Sequence, residues 1–311
     1  MRLVRAAARE AGRRGRRLRA LVLAAGAGTR LRPLTDALPK PLAPVGGRPV
    51  AERLLERLAG LDVEAVALNL HHGADLIERV LGAGPVYLRE DWLRGTAGAL
   101  AGARPFLEAG GDFLVASADG VHEIDVAALM RRHRDSGAVA TITVKRIERP
   151  ETCAIVDLDQ RGLVQRFVEK PATQDVFTDL ASIGVYCLTP AVLDLIPRDR
   201  PFDIAGELIP ALLAAGLPVA AFQTEAWWSD IGDPDELLAA NLHFAHVAEP
   251  CEIADDALIE PGVMIGPYSR VGQGALVRRA LVLPGAQVAP GVVVEDAIVG
   301  TGEDVLRAWL R

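Results

Sequence analysis

Cysteine is scarce in this chain of 311 residues. The three cysteines, Cys153, Cys187 and Cys251, are widely spaced and odd in number, so they predict reduced thiols and not a disulfide framework or a zinc site. No run of eighteen apolar residues occurs, which argues against a membrane-spanning helix and a membrane partner. With half of the residues hydrophobic, these absences indicate a soluble globular protein of the cytoplasm.

Charge is unevenly distributed along the chain. The formal net charge is −7, yet residues 1–20 carry eight arginines and a single glutamate. The acidic remainder argues against nucleic acid as a partner. The arginine-rich start lacks the apolar core of a secretory signal, and we interpret residues 1–18 as a disordered extension, with a transit-like or nucleic-acid-binding arm as the alternative.

A loop of small residues follows the first apolar run. Residues 21–25 predict a buried strand, and Gly26 and Gly28 let backbone N–H groups approach an anion closely. Arg30 comes directly after this loop, and Lys40 follows ten residues later between two prolines. A strand, a loop of small residues and two cations together predict a polyphosphate site.

Two better-known phosphate loops do not fit this sequence. A P-loop ends in Gly-Lys-Ser/Thr, whereas Gly28 is followed by Thr29 and Arg30, and the dinucleotide fingerprint needs a third glycine where this chain has Leu31. A glycine-rich turn without a ligand is the alternative interpretation, since short glycine patterns recur by chance. The attached Thr-Arg and Pro-Lys-Pro sequences favour the phosphate site.

Strand and helix patterns alternate with short connections over residues 21–116, and β content rises from residue 138 onward. This alternation predicts an α/β fold with a doubly wound, mostly parallel, Rossmann-like sheet that binds ligands at the carboxyl ends of its strands. Asp119 follows one predicted strand, residues 113–116. A carboxylate in that position suits Mg²⁺, which prefers hard oxygen ligands; a turn aspartate with a capping role is the alternative.

The sequence GAGTRLRPLTDALPKPLAPVGGRP, residues 26–49, resembles the signature of the sugar-1-phosphate nucleotidyltransferases. The resemblance extends over residues 19–248 and is strongest to mannose-1-phosphate guanylyltransferases and long-form glucose-1-phosphate thymidylyltransferases. It implies an enzyme that uses Mg²⁺, an NTP and a sugar 1-phosphate to form an NDP-sugar and pyrophosphate. GTP with mannose 1-phosphate is the nearest resemblance, while dTTP, UTP or ATP, and a related sugar or cyclitol phosphate, stay open.

The resemblance also implies roles for individual residues. Arg30 and Lys40 would hold the triphosphate, Lys170 would orient the attacking phosphate, and Asp119 and Asp230 would bind Mg²⁺. The implied nucleotide-binding residues are Ala24, Ala25, Gly26, Gly28, Thr29, Glu90, Gly95 and Thr96. The implied sugar-phosphate-binding residues are Ala154, Glu169, Lys170 and Gly184.

Several positions depart from the family pattern. The resemblance implies that residues 90–98, here called the base loop, recognise the nucleobase, and Leu93 and Arg94 depart from the family pattern there. Ala118 replaces a glycine before the metal-binding aspartate, and Cys153-Ala154 replaces an aromatic residue and a glycine. A catalytically weak or silent regulatory homologue that binds a nucleotide sugar is therefore the alternative. Retention of all five charged residues of the implied site argues against it.

The end of the chain is a repeat. From Ile253 to Val294, aliphatic residues recur at steps of six with one step of five, which predicts a short left-handed parallel β-helix over residues 251–311, closed by a helix at 304–310. Because few coils fit, the unit should dock on the catalytic domain or on a partner subunit, and we expect a homo-oligomer, a dimer or a tetramer. An acyltransferase carried by this repeat is disfavoured, since no histidine follows His246.

Overall fold

The computed structural model describes residues 18–311, so the predicted arginine-rich extension lies outside the described residues except for its last position. The strands up to residue 230 are β1 Leu18–Leu23, β2 Pro44–Val45, β3 Arg48–Pro49, β4 Val63–Leu70, β5 Val86–Arg89, β6 Phe113–Ser117, β7 Gly120–His122, β8 Ala140–Arg146, β9 Ala154–Leu158, β10 Val164–Glu169, β11 Leu180–Leu188, β12 Val219–Gln223 and β13 Trp228–Asp230. The α-helices of this part are α1 Leu34–Ala37, α2 Val50–Ala59, α3 Ala74–Leu81, α4 Gly95–Gly102, α5 Arg104–Glu108, α6 Val126–Ser136, α7 Ile209–Ala214 and α8 Pro234–His243.

Nine of these strands form one sheet in the order β10-β9-β11-β6-β1-β4-β5, with β8 paired to β11 and β12 paired to β8. Strands β6, β1, β4 and β5 are parallel, and so are β8 and β12. In contrast, β11 runs antiparallel to β6, β8 and β9, and β9 to β10. The sheet is therefore mixed but mostly parallel: seven of its nine strands run in one direction, and β10 and β11 are reversed. Antiparallel neighbours such as the β9–β10 hairpin need no crossover helix.

Two predicted helices are interrupted where a proline follows. The sequence of residues 96–107 predicts one helix, but the structure has two, α4 and α5, and Pro105 stands in the first turn of the second. The sequence of residues 202–215 also predicts one helix, which begins as a π-helical turn, Ile204–Leu208, and becomes α-helical only at α7, whose first turn contains Pro210. Proline lacks a backbone N–H, so it favours the start of a helix and interrupts a continuous one.

Nine short strands follow in the C-terminal part, and they stack in three parallel sheets. They are β14 Glu252–Ile253, β15 Leu258–Ile259, β16 Met264–Ile265, β17 Arg270–Val271, β18 Leu276–Arg278, β19 Leu281–Val282, β20 Gln287–Val288, β21 Val293–Glu295 and β22 Ile298–Val299. Each strand pairs with the third strand after it, in the sheets β14-β17-β20, β15-β18-β21 and β16-β19-β22. The six-residue period in the sequence is thus the step from one of these sheets to the next. The last helix is α9, Gly302–Trp309.

Both faces of the central sheet are buried. Ala20 and Val22 of β1 belong to one hydrophobic cluster and Leu21 to another, as the alternation of side chains along a strand requires. The first cluster continues into the C-terminal part through Met264 and Leu281, so the short sheets share a core with the layer that covers β1. Within residues 18–311, no helix is both long and apolar enough to cross a membrane.

Candidate active site

The loops that follow β1, β4 and β6 are joined at one edge of the sheet. The Ala24 N–H donates to Asn69 Oδ1 at 3.0 Å, and the Ala118 N–H donates to the Leu23 carbonyl at 2.9 Å. These contacts link the carboxyl ends of three neighbouring parallel strands, the position at which α/β sheets bind ligands. The predicted phosphate loop and the predicted metal-binding aspartate therefore meet at this edge.

A cleft of about 350 Å³ opens between these loops. Its lining includes six of the eight predicted nucleotide-binding residues, together with Lys40 and Asp119: Ala24, Ala25, Gly26, Glu90, Gly95 and Thr96. Gly28 and Thr29 do not belong to this lining. The base loop and the first glycine of the phosphate loop thus face one another across the same cleft.

Gly28 instead packs against Lys40, one of the residues that line the cleft. It has a positive φ of 64°, and a Cβ atom at this position would lie 2.9 Å from the Cβ of Lys40. The Thr35 hydroxyl donates to the Gly28 carbonyl at 2.8 Å. Only glycine lets the loop close on Lys40 in this way, so Gly28 allows the packing of that lysine, and its contact with a nucleotide stays a prediction.

Lys40 connects the two predicted metal ligands. Its side chain is only about a tenth exposed, its ammonium nitrogen forms an ion pair with Asp119, and it lies 3.8 Å from Asp230 Oδ1. Strand β13 pairs with β7 so that Asp230 stands opposite Gly120, and the Ile231 N–H donates to the Asp119 carbonyl at 3.2 Å. Both carboxylates consequently contact the ammonium group of Lys40.

The two carboxyl groups titrate differently because their neighbours differ. Burial would raise the pKa of Asp119, but the charge of Lys40 and hydrogen bonds from Lys40 and the Ser117 hydroxyl outweigh it and hold that pKa below its usual value. Burial and then repulsion from Asp119 raise the pKa of Asp230 to about 6. Two negative groups held this close require a cation between them.

The carboxylates fit a magnesium ion that is shared with a nucleotide. No three His, Cys, Asp or Glu side chains within residues 18–311 form a candidate metal cluster. Mg²⁺ commonly takes one or two carboxylates and completes its shell with water and substrate phosphates. The buried Oδ1 of Asp230 has no hydrogen-bond partner in the described part of the chain, and a cation would satisfy it.

A second cleft, of about 210 Å³, adjoins the first and shares Ser117 and Asp119 with it. All four predicted sugar-phosphate residues contribute to its lining, together with Asp230: Ala154, Glu169, Lys170 and Gly184. Ala154 is paired across the sheet with Glu169. Lys170 has a positive φ of 42°, and its largely exposed ammonium group lies 3.7 Å from Glu169 Oε1.

Arg30 does not line either of these two clefts. It is exposed and lines a larger open cavity of about 800 Å³, together with Lys170 and Asp230. Lys145 and Arg149, which the sequence analysis did not single out, also line this cavity. The two cations of the predicted phosphate site therefore line different cavities. Lys40 lines the first cleft, and Arg30 lines the larger open cavity.

The base loop is fastened to the segment before the π-helical turn. The Ala97 and Gly98 N–H groups both donate to the Phe202 carbonyl, at 2.8 and 2.9 Å. A Cβ atom on Gly95, whose φ is 76°, would lie 2.7 Å from that same oxygen, so glycine is required there. Thr96 is not the N-cap of α4, because Arg94 occupies that position.

No sequence motif identifies two residues that line the first cleft, Asn69 and Asp203. Asn69, buried near the carboxyl end of β4, donates to Glu90 Oε1 at 3.0 Å. The available sequence signal for Asn69 was its position as the one polar residue within the apolar stretch of residues 65–70. Asp203 accepts hydrogen bonds from the backbone N–H and the hydroxyl of Thr96, at 3.0 and 3.1 Å. No local pattern marks Asp203, since its partner lies 107 residues away.

Two family models match the chain. The nucleotidyl transferase model covers residues 19–246, and the model of the GMPPB C-terminal domain covers residues 243–311. The first of them spans every strand of the central sheet except the first residue of β1.

Individual relatives agree with the family models. A UTP–glucose-1-phosphate uridylyltransferase of Synechocystis sp. is 30% identical over 85% of this chain and 82% of its own length. A mannose-1-phosphate guanylyltransferase of Mycobacterium tuberculosis is 30% identical over 82% of this chain and 75% of its own length. The crystal structure of HddC from Yersinia pseudotuberculosis complexed with GMP-PN is 27% identical, with a TM-score of 0.62 over 73% of this chain and 99% of that chain. The chain therefore belongs to the nucleotidyl transferase family and is a sugar-1-phosphate nucleotidyltransferase.

Proposed function

We propose that this enzyme transfers GMP from GTP to mannose 1-phosphate, or to a related hexose or cyclitol phosphate, in a reaction that depends on Mg²⁺. The products are the GDP-sugar and pyrophosphate. The observation that carries the proposal is the position of Lys40 between Asp119 and Asp230, where the two clefts share a wall. One cleft would hold the nucleotide and the other the sugar phosphate.

The proposed reaction needs alignment and charge neutralisation more than proton transfer. An oxygen of the sugar phosphate forms a bond to the α-phosphorus of the nucleotide. The bond from that phosphorus to the oxygen that bridges the α- and β-phosphates breaks, and pyrophosphate leaves with that oxygen. A phosphate monoester is largely dianionic at neutral pH, because its second pKa is about 6, so no general base is required. Positioned cations supply most of what such a transfer needs.

The charged residues divide this task by position. Lys40, largely buried beside the first cleft, would hold the phosphates near the α-phosphorus. Arg30, on the outer cavity, would hold the departing pyrophosphate, and Lys170 would orient the attacking phosphate from the second cleft. Asp119 and Asp230 would hold Mg²⁺, which when bound neutralises the charge that develops on the phosphate oxygens.

The choice of guanine rests on Glu90. Its half-buried carboxylate lines the nucleotide cleft and is oriented by the amide of Asn69. A carboxylate accepts hydrogen bonds and donates none when ionised, which suits the N1–H and amino group of guanine. Uracil and thymine offer a single donor flanked by acceptors. The guanylyltransferase of Mycobacterium tuberculosis and the HddC complex with GMP-PN support the same choice.

The sugar site favours a ligand with several hydroxyl groups. Glu169 supplies a half-buried carboxylate on the cleft that contains Lys170, and a carboxylate there can accept hydrogen bonds from sugar hydroxyls. Ala154 and Gly184, which also line this cleft, have minimal side chains and leave space for the ligand. Mannose 1-phosphate is the preferred candidate because the relatives include mannose-1-phosphate guanylyltransferases.

We further propose how the chain is divided and where it acts. Residues 19–248 would form the catalytic domain, and residues 251–311 a left-handed parallel β-helix with a closing helix. The three stacked parallel sheets support the second assignment.

We expect a cytoplasmic homo-oligomer, a dimer or a tetramer, and light scattering of the purified protein after size-exclusion chromatography measures the number of subunits.

A substrate matrix tests the proposed function. GTP, dTTP, UTP and ATP are each combined with mannose 1-phosphate, glucose 1-phosphate and a cyclitol phosphate, and pyrophosphate release is measured with and without Mg²⁺. The proposal predicts the highest kcat/KM for GTP with mannose 1-phosphate and no turnover in EDTA. Equal turnover in EDTA would contradict the metal assignment, and a preference for another nucleotide would contradict the role given to Glu90.

A further inference from the structure

The last helix of the chain touches the segment that carries the active-site lysine. The indole N–H of Trp309, at the end of α9, donates to the carbonyl oxygen of Leu42 at 3.0 Å. Leu42 is the last residue of the 3₁₀ turn Lys40–Leu42. The hydrogen bonds within this turn use the carbonyls of Pro39 and Lys40, so the Leu42 carbonyl is free to accept from Trp309.

The start of α9 contacts the same segment, residues 34–42, at a second point. A Cβ atom on Gly302, the first residue of α9, would overlap the carbonyl oxygen of Leu34, the first residue of α1. Helix α1 lies between Arg30 and Lys40 in the chain. Helix α9 therefore spans the segment, with its first turn on α1 and its last turn on the lysine-bearing turn.

The stacked sheets hold α9 from its other side. A capping box between Thr301 and Asp304 fixes the first turn of the helix, and such a box satisfies two N–H groups that are otherwise unpaired. The Asp304 carbonyl packs so closely on Gly285 that a Cβ atom there would lie 2.7 Å from it. Val305 is fully buried. The helix is thus a rigid connection between the C-terminal sheets and the Lys40 turn.

We propose that Trp309 is a positioning residue for Lys40. Its hydrogen bond fixes the end of the turn whose first residue places an ammonium group between Asp119 and Asp230. The C-terminal unit then acts on nucleotide binding, in addition to any part in assembly. The inference rests on the proposed role of Lys40 in holding the nucleotide phosphates.

The test compares Trp309→Phe with the wild-type enzyme. Phenylalanine keeps an aromatic ring against the turn but removes the N–H donor together with part of the indole ring. We expect kcat/KM for the nucleotide to fall about three- to tenfold, the range that the loss of one hydrogen bond gives. The KM for the sugar 1-phosphate should not change, because Lys170 and Glu169 lie on the other cleft. Trp309→His, whose ring can donate an N–H, should recover part of the loss.

Val288→Ala is the matched control, because Val288 is buried in the C-terminal sheets and truncating it weakens that unit without touching Leu42. It should lower the unfolding temperature and leave the KM for the nucleotide unchanged. A Trp309→Phe enzyme with the kinetics of Val288→Ala overturns the positioning role, as does an equal change in the KM for both substrates. Absence of pyrophosphate release by the wild-type enzyme refutes the proposed function instead, so the two failures are distinguishable.

Discussion

Asp119 and Asp230 face one another across the ammonium group of Lys40, although more than a hundred residues separate them in the chain. The short pairing of β7 with β13 brings them together, and the bond from the Ile231 N–H to the Asp119 carbonyl fixes their spacing. The sheet therefore holds two like charges together, and only a cation makes that arrangement favourable. Lys40 supplies the cation in the absence of ligands, and Mg²⁺ with a nucleotide would add a second.

Gly28 gives a prediction about the packing of Lys40. Gly28→Ala forces a Cβ atom to within 2.9 Å of the Cβ of Lys40 at a φ of 64°. We expect a loss of at least about 1 kcal/mol in the free energy of unfolding and a fall of about tenfold or more in kcat/KM for the nucleotide. Chemical denaturation and steady-state kinetics measure the two effects.

Gly216→Ala is the control for this glycine, because Gly216 also has a φ of 64° but, apart from its chain neighbours, no atom of residues 18–311 lies within 4 Å of the position of its Cβ. That variant should show the cost of the backbone conformation alone, with unchanged kinetics. If Gly28→Ala matched Gly216→Ala in both measurements, the packing role of Gly28 would be wrong.

Glu90 gives a prediction about the nucleobase. Glu90→Gln replaces an acceptor-only group with an amide that both donates and accepts, which suits uracil or thymine better than guanine. The ratio of kcat/KM for GTP to that for UTP should fall by about 10- to 100-fold. Glu64→Gln, an exposed change on β4 far from the cleft, should leave the ratio unaltered. An unchanged ratio in Glu90→Gln would exclude contact between this carboxylate and the base.

His122 gives a prediction about pH. It is buried in β7, and neither ring nitrogen has a hydrogen-bond partner among residues 18–311. Burial, and then the nearby charge of Arg57, lowers the pKa of His122 to about 4, while an unfolded histidine titrates near 6.5. Because the folded-state pKa is the lower one, the unfolded chain binds the extra proton, and stability falls as the pH drops from 6.5 toward 4.

The test of this histidine is His122→Leu. It should gain about 2 kcal/mol over the wild-type protein at pH 5, relative to the difference at pH 7.5. His133, whose pKa is also lowered to about 4 by burial, remains in both proteins and does not affect the comparison. Parallel profiles of His122→Leu and wild type would show that His122 does not titrate on unfolding.

Local sequence patterns predicted individual strands and the spacing of the C-terminal repeat. The sequence of residues 63–70 predicts a strand, and β4 has these bounds, Val63–Leu70, because an apolar run ended by polar residues is a strong strand signal. The predicted position of Asp119 after a strand matches β6, Phe113–Ser117. The six-residue period also corresponds to the observed strand spacing, since stacking requires a regular repeat.

The rest of the site depends on contacts between distant segments. Strand β11 lies between β6 and β9 in the sheet, and no local pattern specifies that antiparallel insertion. Asp203 meets Thr96, and Trp309 meets Leu42, across 107 and 267 residues. Gly28 was assigned to the phosphate site by its sequence motif, and its close contact with the Lys40 side chain could not be predicted from that motif. Which residue touches the ligand and which supports its neighbour is decided by tertiary packing.

Pyrophosphate release by Asp119→Asn and Asp230→Asn, at saturating GTP, mannose 1-phosphate and Mg²⁺, tests the central claim most directly. Asparagine keeps the shape of each side chain and removes its charge, so both variants should fold and lose about 10²- to 10³-fold in kcat. Asp235→Asn, on the exposed first turn of α8, should retain wild-type kcat. Near-normal turnover in either Asp119→Asn or Asp230→Asn would contradict the assignment of this carboxylate pair to catalysis.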